Sequence, residues 1–166
     1  MLKRIALFIS IVALSSTGMA SASPETAENW GVQASTLYKT TTELLGTLET
    51  NTSTATETQY LDGLANFSVI AGRLAVWVDT SGGAKDFGCI YRGMAEEAEL
   101  QIGALETATS KTEAKMALTR IATMLDDAQS IAVASAHAAR HGESSAPTGY
   151  CPASTIDLET YLGHGS

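Results

Sequence analysis

Residues 110–142 read SKTEAKMALTRIATMLDDAQSIAVASAHAARHG. Ser110 followed by Glu113 has the spacing of a capping box, in which each side chain satisfies a backbone N–H that the first helical turn leaves without an internal partner. Met116, Leu118, Ile121, Met124, Leu125, Ala128, Ile131 and Ala132 then recur at the three- and four-residue steps of one helical face. Gly142, just past His141, supplies a stop, because glycine enters the left-handed conformation with no Cβ to clash. A helix this long must cover its apolar stripe with neighbours, and the chain offers three more of the same kind.

Lys85 to Thr107 carries Phe87, Ile90, Tyr91, Met94, Ala98, Ile102 and Leu105 at helical spacing. Before it, Tyr60, Leu64, Phe67, Ala71, Leu74 and Val78 form a stripe widened by Leu61 and Trp77. That helix is expected to begin near Thr56, which forms a second capping box with Gln59, and to stop at Ser81-Gly82-Gly83. The first helix of the set starts with Ser23 as cap and Pro24 at the first helical position, where its missing N–H costs nothing. Its stripe is Trp30, Ala34, Leu37, Thr41, Leu44 and Leu48; Thr36, Thr40, Thr41, Thr42 and Thr47 lower its propensity, so packing must hold it. Asn51 to Ala55 reads as a polar turn. No run of β-branched residues alternates with polar ones, so a sheet lacks raw material. Four amphipathic segments joined by short connections predict an all-α, up-down-up-down four-helix bundle over residues 23–141.

The chain has 166 residues, 45% of them hydrophobic and 17% charged, which is the composition of one globular domain. Its net charge of -8 and pI near 4.7 argue against binding to nucleic acid or to an anionic membrane surface. Residues 1–22 have the grammar of a secretory signal peptide: Lys3 and Arg4, the apolar run Ile5 to Leu14, then Ala20-Ser21-Ala22. The apolar run falls short of the roughly 20 residues that cross a bilayer. Cleavage before Ser23 removes two cations, and the expected product is an acidic, soluble protein of the periplasm or one secreted, with no insertion of the mature chain into a membrane. Cys89 and Cys151 are the only cysteines, and in an oxidising compartment an even count predicts a bridge. It would tether the tail, residues 142–166, to the bundle, and closing so long a loop stabilises by about 4 kcal/mol on chain-entropy grounds.

Several constellations bear on function. His137 and His141 lie four apart on the last helix, so both imidazoles can face one metal ion, with His164 or Glu143 to complete its shell. The alternative is a pair of exposed histidines favoured by the helix C-terminal dipole. The Glu-x-x-His pattern of di-iron bundles is missing, as are G-x-S-x-G, H-E-x-x-H and the phosphate loop. The acidic cluster Glu96, Glu97, Glu99, Asp126 and Asp127 offers a cation or a basic partner a target, although solvated helix faces give the same pattern. In Phe87-Gly88-Cys89-Ile90-Tyr91-Arg92-Gly93-Met94 two glycines interrupt a helical pattern at a cost of about 1 kcal/mol each, which predicts close approach of another backbone, the tail held by Cys151. The Ala-rich run Ile131 to Ala139 allows a second helix to pack closely, either the chain's own tail, which needs somewhere to dock, or a partner's helix.

A bundle of this size resembles the b- and c-type cytochrome bundles. Covalent haem would need C-x-x-C-H, which is absent; His137 is placed as an axial ligand, but the first helix has no Met or His to oppose it, and Met94, Met116 and Met124 fit only another geometry. The Phe87 to Met94 segment, with Tyr150-Cys151-Pro152 and Tyr161-Leu162-Gly163-His164, resembles disulfide-bonded helical immunity proteins that neutralise secreted bacterial toxins. The resemblance spans a small part of the chain, with a longer cysteine spacing and no helix beyond the tail, so no family is assigned from it. The expected function is binding of an envelope or secreted protein, as adaptor, chaperone-like protein or immunity-type inhibitor, without catalysis and without a cofactor. Tyr91, Arg92, Glu96 and Glu97 are the expected partner-binding residues; the alternative is a divalent-metal or haem bundle using His137 and His141.

Overall fold

A computed structural model describes residues 22–50, 58–81 and 85–142. They form four helices, α1 (Pro24–Thr50), α2 (Thr58–Ser81), α3 (Lys85–Thr107) and α4 (Lys111–His141), with no strand among the described residues. The expected leader before Ala22, the Thr56 cap, Gly82 and Gly83, and the tail beyond Gly142 with Cys151 and His164 lie outside the described residues.

The ends of the helices follow local chemistry. The Thr26 N–H donates to Ser23 Oγ at 3.2 Å, with Pro24 opening α1. At α4 the capping box is complete: the Glu113 N–H donates to Ser110 Oγ at 3.2 Å, and Glu113 Oε2 accepts the Ser110 N–H at 3.0 Å and the Thr109 N–H at 2.8 Å. Those backbone donors, Thr109 first, hold the Glu113 carboxyl below the usual carboxylate range. Gly142, at φ 65°, closes the other end. The threonines of α1 turn back on their own helix: Thr36, Thr40, Thr41 and Thr42 each donate to the carbonyl four residues earlier.

Cross-helix bonds fix the directions. Glu25 and Glu28 at the start of α1 meet Arg140 at the end of α4, while Glu49 near the end of α1 meets Lys115 near the start of α4. Thr41 and Gln33 of α1 reach Tyr60 and Gly63 of α2; Ser68 and Asp79 of α2 reach Ala95 and Arg92 of α3; Tyr91 and Glu97 of α3 reach Ser135 and Arg120 of α4. Each successive pair is therefore antiparallel, and α4 closes the ring on α1.

Trp30 is the centre of the core. Its ring stacks on Phe67 with centroids 4.6 Å apart, meets the edge of Tyr91 at 5.1 Å, and donates its indole N–H to the Phe67 carbonyl at 3.0 Å. Leu64, Leu74, Ile121 and Leu125 fill the layers around it. By length and mean hydropathy α2 could cross a membrane, but its apolar stripe supplies this core. Gly31 of α1 faces Ala132: a Cβ on Gly31 would come within 2.6 Å of the Ala132 Cβ. At Ala132 the Ala-rich run thus meets α1, where the tail or a partner's helix is expected.

One expectation about α3 is corrected here. The neighbour of Gly88 is α2, where a Cβ would come within 2.7 Å of Asp79 Oδ1 and 3.6 Å of the Ala75 carbonyl. Around Gly93, nothing among the described residues comes within 4 Å of such a Cβ, and the tail expected there lies outside those residues. A second correction concerns Met116, which the stripe of α4 was expected to bury and which is 63% exposed. Two residues before Leu118, it points about 200° away from it around the helix, while Ala114 and Ala117 occupy the inward positions.

Candidate functional site

The partner-binding residues expected on α3 do not form one exposed patch. Tyr91 is fully buried and donates its hydroxyl to Ser135 Oγ, whose own proton goes to the Ala132 carbonyl at 3.2 Å. Burial pushes the phenol up to about 12. A side chain so placed cannot meet a partner, so Tyr91 is removed from the binding set and belongs to the core stripe. Arg92 is only 16% exposed and pairs with Asp79 at 2.6 Å. Glu97 is half-buried, accepting from Arg120 Nε at 2.7 Å and from Gln101 Nε2 at 3.1 Å, and Glu96 is half-buried beside it. Arg92 thus joins α3 to α2, and Glu97 joins it to α4.

His137 and His141 do come together. Their rings stack with centroids 4.1 Å apart, both exposed, and His141 Nδ1 donates to the His137 carbonyl at 2.9 Å, leaving its Nε2 outward. No third metal-ligating side chain joins them among the described residues, and Glu143 and His164, the expected completing ligands, lie outside those residues. Nearby, Arg140 forks onto Glu28 and reaches Glu25, and its guanidinium holds the Glu28 carboxyl below the usual range. Of the methionines weighed as haem ligands, Met124 is buried and Met94 half-buried along one cleft between α3 and α4, while Met116 is exposed outside it.

The other end of the molecule holds a feature absent from the expected set. Leu48 and Glu49 of α1 and Lys111, Thr112, Lys115, Met116, Thr119 and Arg120 of α4 line an open groove of about 570 Å³. Its surface is mainly apolar, from Leu48, Met116 and the aliphatic stems of the basic residues. Lys115 donates to Glu49 at 2.9 Å and so holds that carboxyl below the usual range, but at 56% and 65% exposure this is a surface pair. A second cleft of about 400 Å³ runs between α3 and α4 past Ile90, Met94 and Met124, and shares Thr119 and Arg120 with the groove. The sequence signal was available: Lys111 and Lys115 lie four apart, and Met116 is out of phase with the α4 stripe.

Comparison with known protein families, with curated proteins and with solved structures gives no match to this chain.

Proposed function

We propose that this chain is an exported helical-bundle protein of the periplasm or extracellular space that acts by binding another protein, as an adaptor, chaperone-like protein or inhibitor. The observation that carries the reading is the open groove at the α1–α4 end, where Met116 presents apolar surface over the edge of buried Leu48 beside three cations, with no buried side-chain polar atom left unbonded among the described residues. Methionine suits such a surface because its unbranched thioether adapts to the shape it meets. The leader-like residues 1–22 support export.

The same reading includes a Cys89–Cys151 bridge that ties the tail to α3. It is supported by the lack of a free cysteine among the described residues and by Cys151 being the one other cysteine in the chain. Replacing Cys151 by serine should lower the melting temperature of oxidised protein; an unchanged temperature argues against the tether.

Affinity capture with the mature protein from the envelope of its source cell, followed by reciprocal purification of each captured protein, tests the function. A partner that returns at fixed stoichiometry supports it, and none doing so counts against it. The stacked His137 and His141 favour a second reading, a metal-binding bundle. Metal analysis and a visible spectrum of natively purified protein separate the two, since a colourless, metal-free product ends the cofactor reading.

A further inference from the structure

We infer that the groove at the α1–α4 end receives an acidic, amphipathic helical segment of the partner; this rests on the protein-binding reading and specifies its chemistry. The charge of the groove runs against that of the molecule. The chain as a whole carries a net charge of -8, yet the groove gathers Lys111, Lys115 and Arg120 against Glu49 in its lining, with Glu97 of α3 holding Arg120 from the side. A basic lining on an acidic protein selects for anionic partners locally, because the rest of the surface repels them.

The arrangement matches a helix better than a lone anion. Lys111 and Lys115 stand one turn apart, about 6 Å along the α4 axis, which is the spacing of two carboxylates at i and i+4 on a helix lying alongside. Beside the cations, exposed Met116, backed by the edge of buried Leu48, presents the apolar contact that such a helix would cover with its own apolar side. The Lys115–Glu49 pair gives way easily. Lys115 and Glu49 are 56% and 65% exposed, so exchanging Glu49 for a partner carboxylate desolvates little that is not already wet, while half-buried Glu97 keeps its bond from Gln101.

The test uses the full mature chain and a synthetic helical peptide of leucine and glutamate, with glutamates at i and i+4. Its controls are the same peptide with lysine for glutamate, and decanoate as a small amphiphilic anion. Saturable binding of the glutamate peptide, weakened about tenfold by Lys111→Glu with Lys115→Glu and by added salt, is the expected result. Because those side chains are exposed, the melting temperature should stay put. Leu100→Glu, on the outer face of α3, should leave the affinity unchanged.

Absence of saturable binding, equal affinity for the two peptides, or insensitivity to the charge reversal overturns the inference. So does decanoate competing as well as the peptide, which would make the groove a small-amphiphile site, or binding only after residues 152–166 are removed, which would make the chain's own tail the occupant. A natural partner that co-purifies equally well with the charge-reversed variant leaves the protein-binding reading standing and sinks only the groove. Peptide binding with no natural partner does the reverse.

Discussion

The two flanks of α4 are built on different principles. Toward α1, Ala132 meets Gly31, and the absence of one side chain lets the two helices close until a single added carbon would overlap. Toward α3, the helices stand further apart and are joined by a relay, Tyr91 hydroxyl to Ser135 hydroxyl to Ala132 carbonyl, and lower down by half-buried Glu97 paired with exposed Arg120 beside an open cleft. The contact between α1 and α2 repeats the second design: Tyr60 donates to Thr41 Oγ1 at 2.7 Å, and Thr41 passes its own proton to the Leu37 carbonyl at 2.7 Å. A glycine contact is tight and intolerant of added volume. A hydroxyl relay specifies register while leaving room alongside, as the α3–α4 cleft shows; the larger groove opens on the α1–α4 flank, but at the end of α1 far from Gly31.

Trp30 ties the two designs together, because its ring sits one residue from Gly31 and touches both Phe67 and Tyr91. Trp30→Ala should therefore have the largest effect, about 3–5 kcal/mol by chemical denaturation. A loss under about 1 kcal/mol would mean that the aromatic cluster does not hold the helices together. Gly31→Ala comes next. Alanine gains roughly 1 kcal/mol in helix propensity, but a Cβ at 2.6 Å from Ala132 forces α1 and α4 apart at an overpacking cost of about 1–3 kcal/mol. Adding Ala132→Gly should relieve the strain, so the two changes should show strong coupling in a double-mutant cycle. If Gly31→Ala stabilises the protein, the contact is looser than described.

Tyr91→Phe probes the other flank. Ser135 keeps its bond to the Ala132 carbonyl and loses only the proton it accepts, so the cost at neutral pH is smaller, about 0.5–1.5 kcal/mol. The pH dependence is more diagnostic. Burial raises Tyr60 and Tyr91 from 10.0 to about 12, and a raised folded-state pKa means that the stabilisation is complete below pH 10 and disappears as pH climbs from there toward 12. Stability should fall over that window in the native protein, and each Tyr→Phe change should remove its share of the slope. An alkaline limb that is identical in the Tyr91→Phe, Tyr60→Phe double variant would show that these phenols are not buried in solution.

Much of this architecture was legible beforehand, and the failures have a common cause. The bounds of α4 followed from Ser110, Glu113 and Gly142, because caps are local chemistry that needs no knowledge of neighbours. The stripes of α1 and α2 followed from periodicity. What sequence does not carry is which neighbour a face meets. Gly88 was assigned to the tail and serves α2, and Gly31 drew no notice beside Trp30. Tyr91 fitted both the α3 stripe and a binding patch, and only the position of Ser135 on another helix decides between them. The groove was missed because its basic residues come from α4 and its apolar floor partly from Leu48, which is distant in sequence.

The smallest effect is the most informative about that groove. Met116 and Met124 occur in the same helix and entered the same expected stripe, yet one is 63% exposed and the other is buried against the core. Met116→Gln should change stability by no more than about 0.5 kcal/mol, the usual range for surface substitutions. Met124→Gln places an amide where the thioether had no hydrogen-bonding demand, and should cost about 1–3 kcal/mol. Measured together by urea denaturation, the pair tests the phase of α4 directly. Equal costs would mean that Met116 is packed, and its groove closed, in solution. The unequal outcome would place Met116, between Lys115 and Arg120, outside the core and leave its side chain open to the contact proposed for the groove.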